Sequence, residues 1–251
     1  MRTLVAAIVL LAANGATHAA EINALISTAI KVATDQLLPP FEHDSGYIIR
    51  ATYGPSGALI PRFERGEPAD IFLTDSVAID QLIKQGKILP GRTDFARTGI
   101  GIAVRKGAPR PDVSTPEALR RALLAAKSVG YAAPSGGSIT GPYIEGMFRR
   151  LGIADQITSK TKLAAGGPNG RVSVLVSSGE AEIGFQQVSE LMANPEVEVI
   201  GMLPSDLQQI TIYSAGITVG AKEADAAKAL IKALTAPSSA AIYKAKGLDP
   251  P

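Results

Sequence analysis

Residues 66–75 read Gly-Glu-Pro-Ala-Asp-Ile-Phe-Leu-Thr-Asp, and this stretch indicates the fold class. The apolar run at residues 71–73 is short and uninterrupted, as expected for a buried strand. The residues that follow it, Thr-Asp-Ser at 74–76, favour the N-terminus of a helix, and a helix is predicted over residues 77–85. A buried strand that leads directly into a helix is typical of α/β proteins.

The same order of strand and helix recurs on both sides of this stretch. Repeated strand–helix units predict an α/β fold with mainly parallel sheets. Pro39-Pro40 is expected to end or kink the first helix, because proline lacks the backbone N–H group. No Pro/Ser-rich linker is present, so two lobes would have to be joined by strands that cross between them. Further strands are predicted at 21–26, 47–53, 100–105, 129–132, 181–185, 197–202 and 210–219, and further helices near 30–41, 58–63, 115–126, 171–178 and 224–234, with another ending at 151.

The composition excludes several classes of protein. The chain has 251 residues, of which 46% are hydrophobic and 19% charged, as in a folded globular protein. The absence of cysteine excludes disulfides and thiolate metal sites, and two histidines leave little room for zinc chemistry or a Ser-His-Asp triad. A net charge of +2 does not suggest nucleic-acid binding, and the glycine motifs of nucleotide-binding proteins and α/β-hydrolases are absent. We therefore expect no cofactor and no metal.

Residues 1–20 have the pattern of a secretory signal peptide. Arg2 gives a positive start, residues 4–11 form an apolar run, and small residues suit cleavage after Ala19 or Ala20. An apolar run of about eight to ten residues is too short to span a bilayer, which disfavours a membrane anchor. The pattern predicts export to the periplasm.

Hydroxyl residues and glycines follow predicted strands at four places. Helix N-termini at such places offer free N–H groups and a partial positive charge, which suit an anion. Serine and threonine each add a hydrogen-bond donor, and glycine lets a ligand approach the backbone. A single place of this kind is more simply explained as a helix cap, but four predict one anion pocket if the fold brings them together. The four places are Ser27-Thr28, residues 53–57, residues 135–138 and residues 166–171.

The sequence resembles the molybdate-type periplasmic solute-binding proteins of ABC transporters. The resemblance rests on residues 66–75, which begin ten residues after Ser56, on Ser27-Thr28 and on residues 177–184. It implies a two-lobed α/β fold of the type II periplasmic-binding-protein class, each lobe a mainly parallel sheet flanked by helices, with the ligand in the cleft between them. It also implies a monomer that delivers a small anion to a membrane permease. Lobe one would comprise residues 21–98 and 212–251, and lobe two residues 99–211, with the chain crossing near 97–103 and 205–215.

The ligand-binding residues implied by the resemblance depart from the molybdate pattern. Ser27 and Ser56 fit a tetrahedral oxyanion, but Phe185-Gln186-Gln187 stands where a tyrosine is expected, with Gln187 nearest to that position. Asn169 and Arg171 offer amide and guanidinium donors, which suit planar carboxylates. The sequence therefore favours a di- or tricarboxylate over a molybdate-like oxyanion. The candidate set is Ser27, Thr28, Ser56, Gly57, Thr74, Ser135, Ser138, Tyr143, Asn169, Arg171 and Gln187. The alternatives to ligand binding are that Arg171 is a solvated helix residue and that Tyr143 is a core residue.

Two classes of function follow from the resemblance. The favoured class is capture of the anion, with closure of the lobes and transfer to a permease or signalling to a sensory partner. The other class is enzymatic, because the sequence also resembles the related periplasmic aconitate isomerases, which move a proton along an allylic tricarboxylate. That reaction needs a base near an acidic C–H group. Asp75, just past a strand end, is the first candidate base, although a helix cap is the simpler explanation; Tyr143, Glu145 and His43 are the others.

Overall fold

The structure is a computed structural model that describes residues 20–166 and 171–251. Asn169 lies outside these ranges, as does the predicted signal peptide at 1–20 apart from its last residue. No helix in the two described ranges combines the length and the apolar character that crossing a bilayer requires.

Strands and helices alternate along the described chain, as the sequence predicts. The strands are β1 Glu21–Ser27, β2 Ile48–Gly54, β3 Ile71–Asp75, β4 Thr93–Arg105, β5 Val129–Ala132, β6 Thr161–Ala164, β7 Ile183–Gln187, β8 Val197–Met202 and β9 Ile210–Ile217. The helices are α1 Lys31–Ser45, α2 Ser56–Glu64, α3 Ser76–Lys84, α4 Pro116–Ala125, α5 Thr140–Arg150, α6 Ala154–Thr158, α7 Val172–Ser178, α8 Val188–Leu191, α9 Ala224–Leu234 and α10 Pro237–Ala245. Short 3₁₀ helices lie at Thr28–Ile30, Pro134–Gly136 and Ser205–Leu207.

A mixed sheet of nine strands runs through the molecule, in the order β2-β1-β3-β9-β4-β7-β5-β6, with β8 paired to β4. β1 pairs in parallel with β2 and β3, and β5 pairs in parallel with β6 and β7. The antiparallel pairs all involve β4 or β9. The parallel arrangement expected from the strand–helix pattern therefore holds within each part of the sheet, and the antiparallel strands join the parts.

The long strand β4 links the two parts of the sheet without a break. Its residues 93–99 pair with β9, whereas residues 100–105 pair with β7 and β8. Its side chains divide in the same way: Phe95 lies in a core with β1, α1 and α9, and Ile102 lies in a second core with α4 and α5. The two parts of the sheet pack against separate sets of hydrophobic clusters, which gives the two-lobed α/β fold that the sequence predicts.

The limits of the lobes remain a proposal. We propose that lobe one comprises residues 21–98 with 212–251, and lobe two residues 99–211. This division follows the change of pairing partner within β4 and gives β9, which pairs with β3 and β4, almost entirely to lobe one.

Helix α1 continues past Pro39-Pro40, where the sequence predicts that it ends or kinks. It extends to Ser45 and is followed by Gly46, which has a left-handed conformation with a φ of 75°. Both prolines are exposed, as are the residues four positions earlier, whose carbonyl groups lose their helical N–H partners. Because water can bind those carbonyl groups, the helix continues without a buried unsatisfied polar group.

Candidate anion-binding site

A cavity of about 300 Å³ collects residues from both parts of the sheet. All four places where hydroxyl residues and glycines follow a predicted strand contribute to its wall. They meet because the carboxyl ends of neighbouring parallel strands lie at the same edge of a sheet. From the predicted set, the wall includes Ser27, Thr28, Ser56, Ser138, Arg171 and Gln187. Polar lining residues outside that set include Lys31, Tyr53, Thr140, Gln186, Glu190 and Tyr213.

Ser27 and Ser56 form a hydrogen-bonded pair in one wall of the cavity. Ser27 ends β1, and its Oγ accepts a hydrogen bond from the backbone N–H of Ala29 at 3.4 Å. The same oxygen accepts a second hydrogen bond from the Ser56 hydroxyl at 3.0 Å. Both lone pairs of the Ser27 hydroxyl are thereby engaged, so its own proton remains to be donated. This pair offers a donor to an anion.

A second chain of hydrogen bonds lies in the wall formed by the start of α5. Ser138 Oγ accepts from the backbone N–H of Gly141 at 3.1 Å and lies 3.0 Å from Thr140 Oγ1. Thr140 Oγ1 donates to Gln186 Oε1 at 2.6 Å, so the Ser138 hydroxyl is the donor to Thr140. The chain fixes the Gln186 amide at the cavity wall and leaves its nitrogen as a possible donor to a ligand.

Two buried polar atoms at the cavity have no hydrogen-bond partner among the described residues. Gln187 Nε2 donates to Thr211 Oγ1 at 2.9 Å, but Gln187 Oε1 is unpaired, as is the Tyr213 hydroxyl. Burial raises the pKa of Tyr213 well above its usual range; the Glu190 and Asp75 carboxylates add to the rise. The nearby Ser27 side chain lowers the pKa of Tyr213 in part. The geometry of the two hydroxyl groups is nevertheless not that of a hydrogen bond. A buried polar group without a hydrogen-bond partner costs about 1–3 kcal/mol.

Glu190 is the single acidic residue among the described residues of the cavity wall. Burial raises the pKa of its carboxyl to about 7, and the neighbouring Thr28 side chain and the Arg171 charge limit the rise. The adjacent Ser189 hydroxyl donates to the Ala29 carbonyl oxygen at 2.6 Å, which holds α8 against the end of β1. The described ranges contain no group of three or more His, Cys, Asp or Glu residues that could hold a metal ion. Glu190 is thus a partly protonated carboxyl group in the cavity wall at neutral pH.

Two cationic side chains also line the cavity. Arg171 precedes α7 and is largely exposed, with part of its surface in the cavity wall. Lys31 Nζ lies 2.7 Å from Asp35 Oδ1 and 4.5 Å from the centre of the Tyr53 ring. A guanidinium group suits a carboxylate ligand, because it can donate two parallel hydrogen bonds.

Four residues of the predicted ligand-binding set do not line the cavity. The backbone N–H of Gly57 donates to the Gly137 carbonyl oxygen at 3.0 Å, which takes Gly57 to the contact between loops rather than to the wall. Thr74 is fully buried beneath the site, and Ser135 is exposed. The hydroxyl of Tyr143 donates to the Leu207 carbonyl oxygen at 2.8 Å. This bond agrees with the alternative prediction that Tyr143 is a packed residue.

None of the four candidate bases chosen from the sequence lines the cavity. Asp75 caps α3 by accepting from the backbone N–H of Ala78 at 3.0 Å, and Tyr143 is engaged as described above. Glu145 accepts from the Tyr131 hydroxyl at 3.4 Å. His43 is exposed beside Asp44. The acidic residue that does line the cavity is Glu190, which follows the end of β7 by three residues.

Known proteins with similar sequences and structures share this architecture. A family model described as bacterial extracellular solute-binding protein matches residues 22–249. Aconitate isomerase from a Pseudomonas species is 32% identical over 254 residues, covering 98% of this chain and 93% of that protein. Molybdate-binding protein ModA from Azotobacter vinelandii is 26% identical and covers 92% of this chain and 91% of that protein. The solved periplasmic molybdate-binding protein of Azotobacter vinelandii superposes with a TM-score of 0.75 at 21% identity, covering 92% of this chain and 99% of that chain. The chain therefore belongs to the bacterial extracellular solute-binding protein family.

Proposed function

We propose that this protein is a periplasmic isomerase that moves an allylic proton in a small tricarboxylate. The observation that carries the proposal is Glu190, the one acid in the described wall of a cavity whose other polar groups are neutral or cationic. An ionised carboxylate there does not help a receptor that only captures an anion, because its charge repels the ligand. A base, by contrast, must lie beside the reacting carbon. The Pseudomonas relative, named as an aconitate isomerase, supports the same function.

The proposed reaction shifts a proton between the two ends of an allylic system. Glu190 takes a proton from the methylene carbon beside the double bond: the C–H bond breaks and an O–H bond forms on the carboxylate. The electron pair spreads over the allylic carbons and the attached carboxylates. The proton then returns from Glu190 to the other end of the system, which restores the base. Ser27 and Arg171 stabilise the negative charge by donating hydrogen bonds to substrate carboxylates.

Proton NMR of trans-aconitate with the purified protein in deuterated buffer tests this proposal. We expect signals of cis-aconitate to appear and the methylene signal to weaken as deuterium enters from the solvent. Glu190→Gln should abolish both changes and still bind trans-aconitate, because glutamine keeps the shape and removes the proton acceptor. Glu196→Gln, which changes an exposed acid outside the cavity, is the matched control and should stay active. Wild-type protein that yields neither cis-aconitate nor deuterium uptake would contradict the proposal.

Capture of an oxyanion for a membrane permease is the second candidate, and the Ser27–Ser56 pair favours it. Paired hydroxyls can replace the hydration of a tetrahedral anion without a full countercharge, and two relatives are named molybdate-binding proteins. Thermal unfolding with molybdate, tungstate, sulfate, citrate and both aconitates separates the candidates. Ligand at a hundred times its dissociation constant should add about 2.7 kcal/mol to the free energy of unfolding. Stabilisation by molybdate without stabilisation by either aconitate would favour capture.

The proposed location is the periplasm and the proposed state is a monomer. The leader predicted at residues 1–20 and the periplasmic relative of known structure support the location. Protein recovered from a periplasmic fraction should begin after Ala19 or Ala20 on N-terminal sequencing. Recovery of the uncut chain from the cytoplasm alone would contradict export.

A further inference from the structure

The hydroxyl group of Tyr213 lacks a partner although the residue is fully buried. Its ring belongs to the core formed by β1, α1 and α9, while the residue also contributes to the cavity wall. Its oxygen makes no hydrogen bond to any described residue. Buried tyrosine hydroxyls are normally paired, as that of Tyr243 is with the Leu234 carbonyl oxygen at 2.9 Å in the same core. An unpaired donor in a cavity wall points to a partner that arrives with the ligand.

The Tyr53 and Ser56 hydroxyls in the same wall are already engaged. The Tyr53 hydroxyl lies 3.0 Å from Thr34 Oγ1, and the Ser56 hydroxyl donates to Ser27 Oγ at 3.0 Å. Each would have to give up a hydrogen bond in order to donate to a ligand. Tyr213 has no such bond to lose, so it can donate to a ligand at no cost in existing contacts.

Tyr213 and Glu190 approach the cavity from different parts of the sheet. Tyr213 lies in β9, which pairs with β3 and with residues 93–99 of β4, whereas Glu190 lies in α8, directly after β7. Burial raises the pKa of Tyr213, and the Glu190 and Asp75 carboxylates add to the rise, so the phenol keeps its proton at neutral pH. The cavity thus presents a proton acceptor and a fixed hydrogen-bond donor, the two groups that an allylic proton shift requires.

We infer that Tyr213 is a second catalytic residue of the isomerisation, an inference that rests on the proposed function. Its O–H group donates a hydrogen bond to the substrate carboxylate oxygen on which negative charge grows as Glu190 removes the allylic proton. The proton of Tyr213 stays on its own oxygen, so Glu190 alone accepts and returns the transferred proton. Because the charge is greatest in the transition state, the hydrogen bond lowers the barrier more than it tightens substrate binding.

Tyr213→Phe tests this role, because it removes the hydroxyl and keeps the ring in the core. We expect kcat for trans-aconitate to fall on the order of 100-fold, and deuterium uptake to fall in parallel. The dissociation constant of trans-aconitate, measured by calorimetry, should stay within about threefold of wild type. The melting temperature should be unchanged or higher, because no hydrogen bond within the protein is lost.

Tyr243→Phe is the matched control, since it removes a paired hydroxyl from the same core. It should lower the melting temperature and leave kcat unchanged, because this hydroxyl bonds Leu234 and does not line the cavity. A Tyr213→Phe protein with kcat within about threefold of wild type would overturn the inference and leave the isomerase proposal standing. A rise in the dissociation constant with an unchanged kcat would also overturn it. Wild-type protein without turnover or deuterium uptake would instead remove the proposed function itself.

Discussion

The Glu190 carboxyl changes its charge near neutral pH, because burial raises its pKa to about 7. As a general base it must be deprotonated, so kcat/KM for isomerisation should rise about tenfold per pH unit on the acid side and level off above roughly pH 7. Initial rates with trans-aconitate over roughly pH 5 to 9 check this expectation. A flat profile over that range would mean that another group accepts the proton.

The same carboxyl links pH to the stability of the ligand-free protein. Between pH 4.5 and about 7 the folded state keeps a proton that the unfolded state has already lost. The free energy of unfolding should therefore fall as the pH rises through this window, and the loss should be complete above it. Melting temperatures of wild type and Glu190→Gln should diverge in their pH dependence, because glutamine carries no such proton. Parallel profiles would contradict a raised pKa.

At the residue scale, the sequence predicted which residues approach the cavity wherever a simple rule applied. Ser27, Ser56 and Arg171 follow strands in the sequence, and strand ends converge in an α/β sheet, so their approach to one cavity could be predicted. The approach of Tyr213 to the cavity could not be predicted, because its place in an apolar strand indicates a core residue. The ring is indeed in the core, and the sequence holds no sign that the hydroxyl lacks a partner. Glu190 was missed because the four-residue helix α8 is too short to leave a periodic pattern.

At the scale of elements, the Asp75 side chain caps the start of α3. Asp75→Ala should lower the free energy of unfolding by about 1 kcal/mol, because it leaves the backbone N–H of Ala78 unpaired. Asp75→Asn keeps a capping oxygen and should retain both stability and turnover. Urea unfolding and the rate with trans-aconitate measure the two effects separately. Loss of turnover in Asp75→Asn at unchanged stability would restore Asp75 as a candidate base.

Elements with strong local signals were predicted closely. The strand expected at 129–132 is β5, and the helix expected at 115–126 is α4. Thr115 Oγ1 caps α4 by accepting a hydrogen bond from the backbone N–H of Ala118 at 3.1 Å. Strand β6 was not predicted, because its four residues alternate weakly and Leu163 is exposed. It exists by pairing with β5, which only the tertiary fold provides. The continuation of α1 through Pro39-Pro40 likewise depends on which face of the helix meets water.

At the scale of the whole molecule, two glycines allow close contact between the proposed lobes. The N-terminus of α2 meets the loop before α5 where the Gly57 N–H donates to the Gly137 carbonyl oxygen. A Cβ atom on Gly57 would lie 2.9 Å from that oxygen, closer than side chains approach. Gly137 has a φ of 79°, which also favours glycine. The contact closes one side of the cavity without using any side chain.

Gly57→Ala should therefore weaken closure while leaving each lobe folded. The added methyl group meets the opposite loop only when the lobes are closed, so the closed population falls and the ligand binds roughly tenfold more weakly. Gly146→Ala is the matched control, because Gly146 lies outside the cavity wall and its Cβ would meet only the Arg149 Nη2 atom, at an ordinary 3.8 Å. Calorimetric titration with trans-aconitate compares the two variants. Equal affinity in Gly57→Ala and wild type would show that the contact has no role in closure.

Because β4 runs without interruption from one proposed lobe to the other, it joins them as a paired strand and not as a flexible loop. Residues 93–99 pair with β9, and residues 100–105 pair with β7 and β8. Bending β4 at the junction would strain these backbone hydrogen bonds, so the strand pairing resists a change in the angle between the proposed lobes. Among the described residues, none that lines the cavity belongs to β4. Substitutions in the cavity wall can therefore alter which anion fits without altering the strand that joins the proposed lobes.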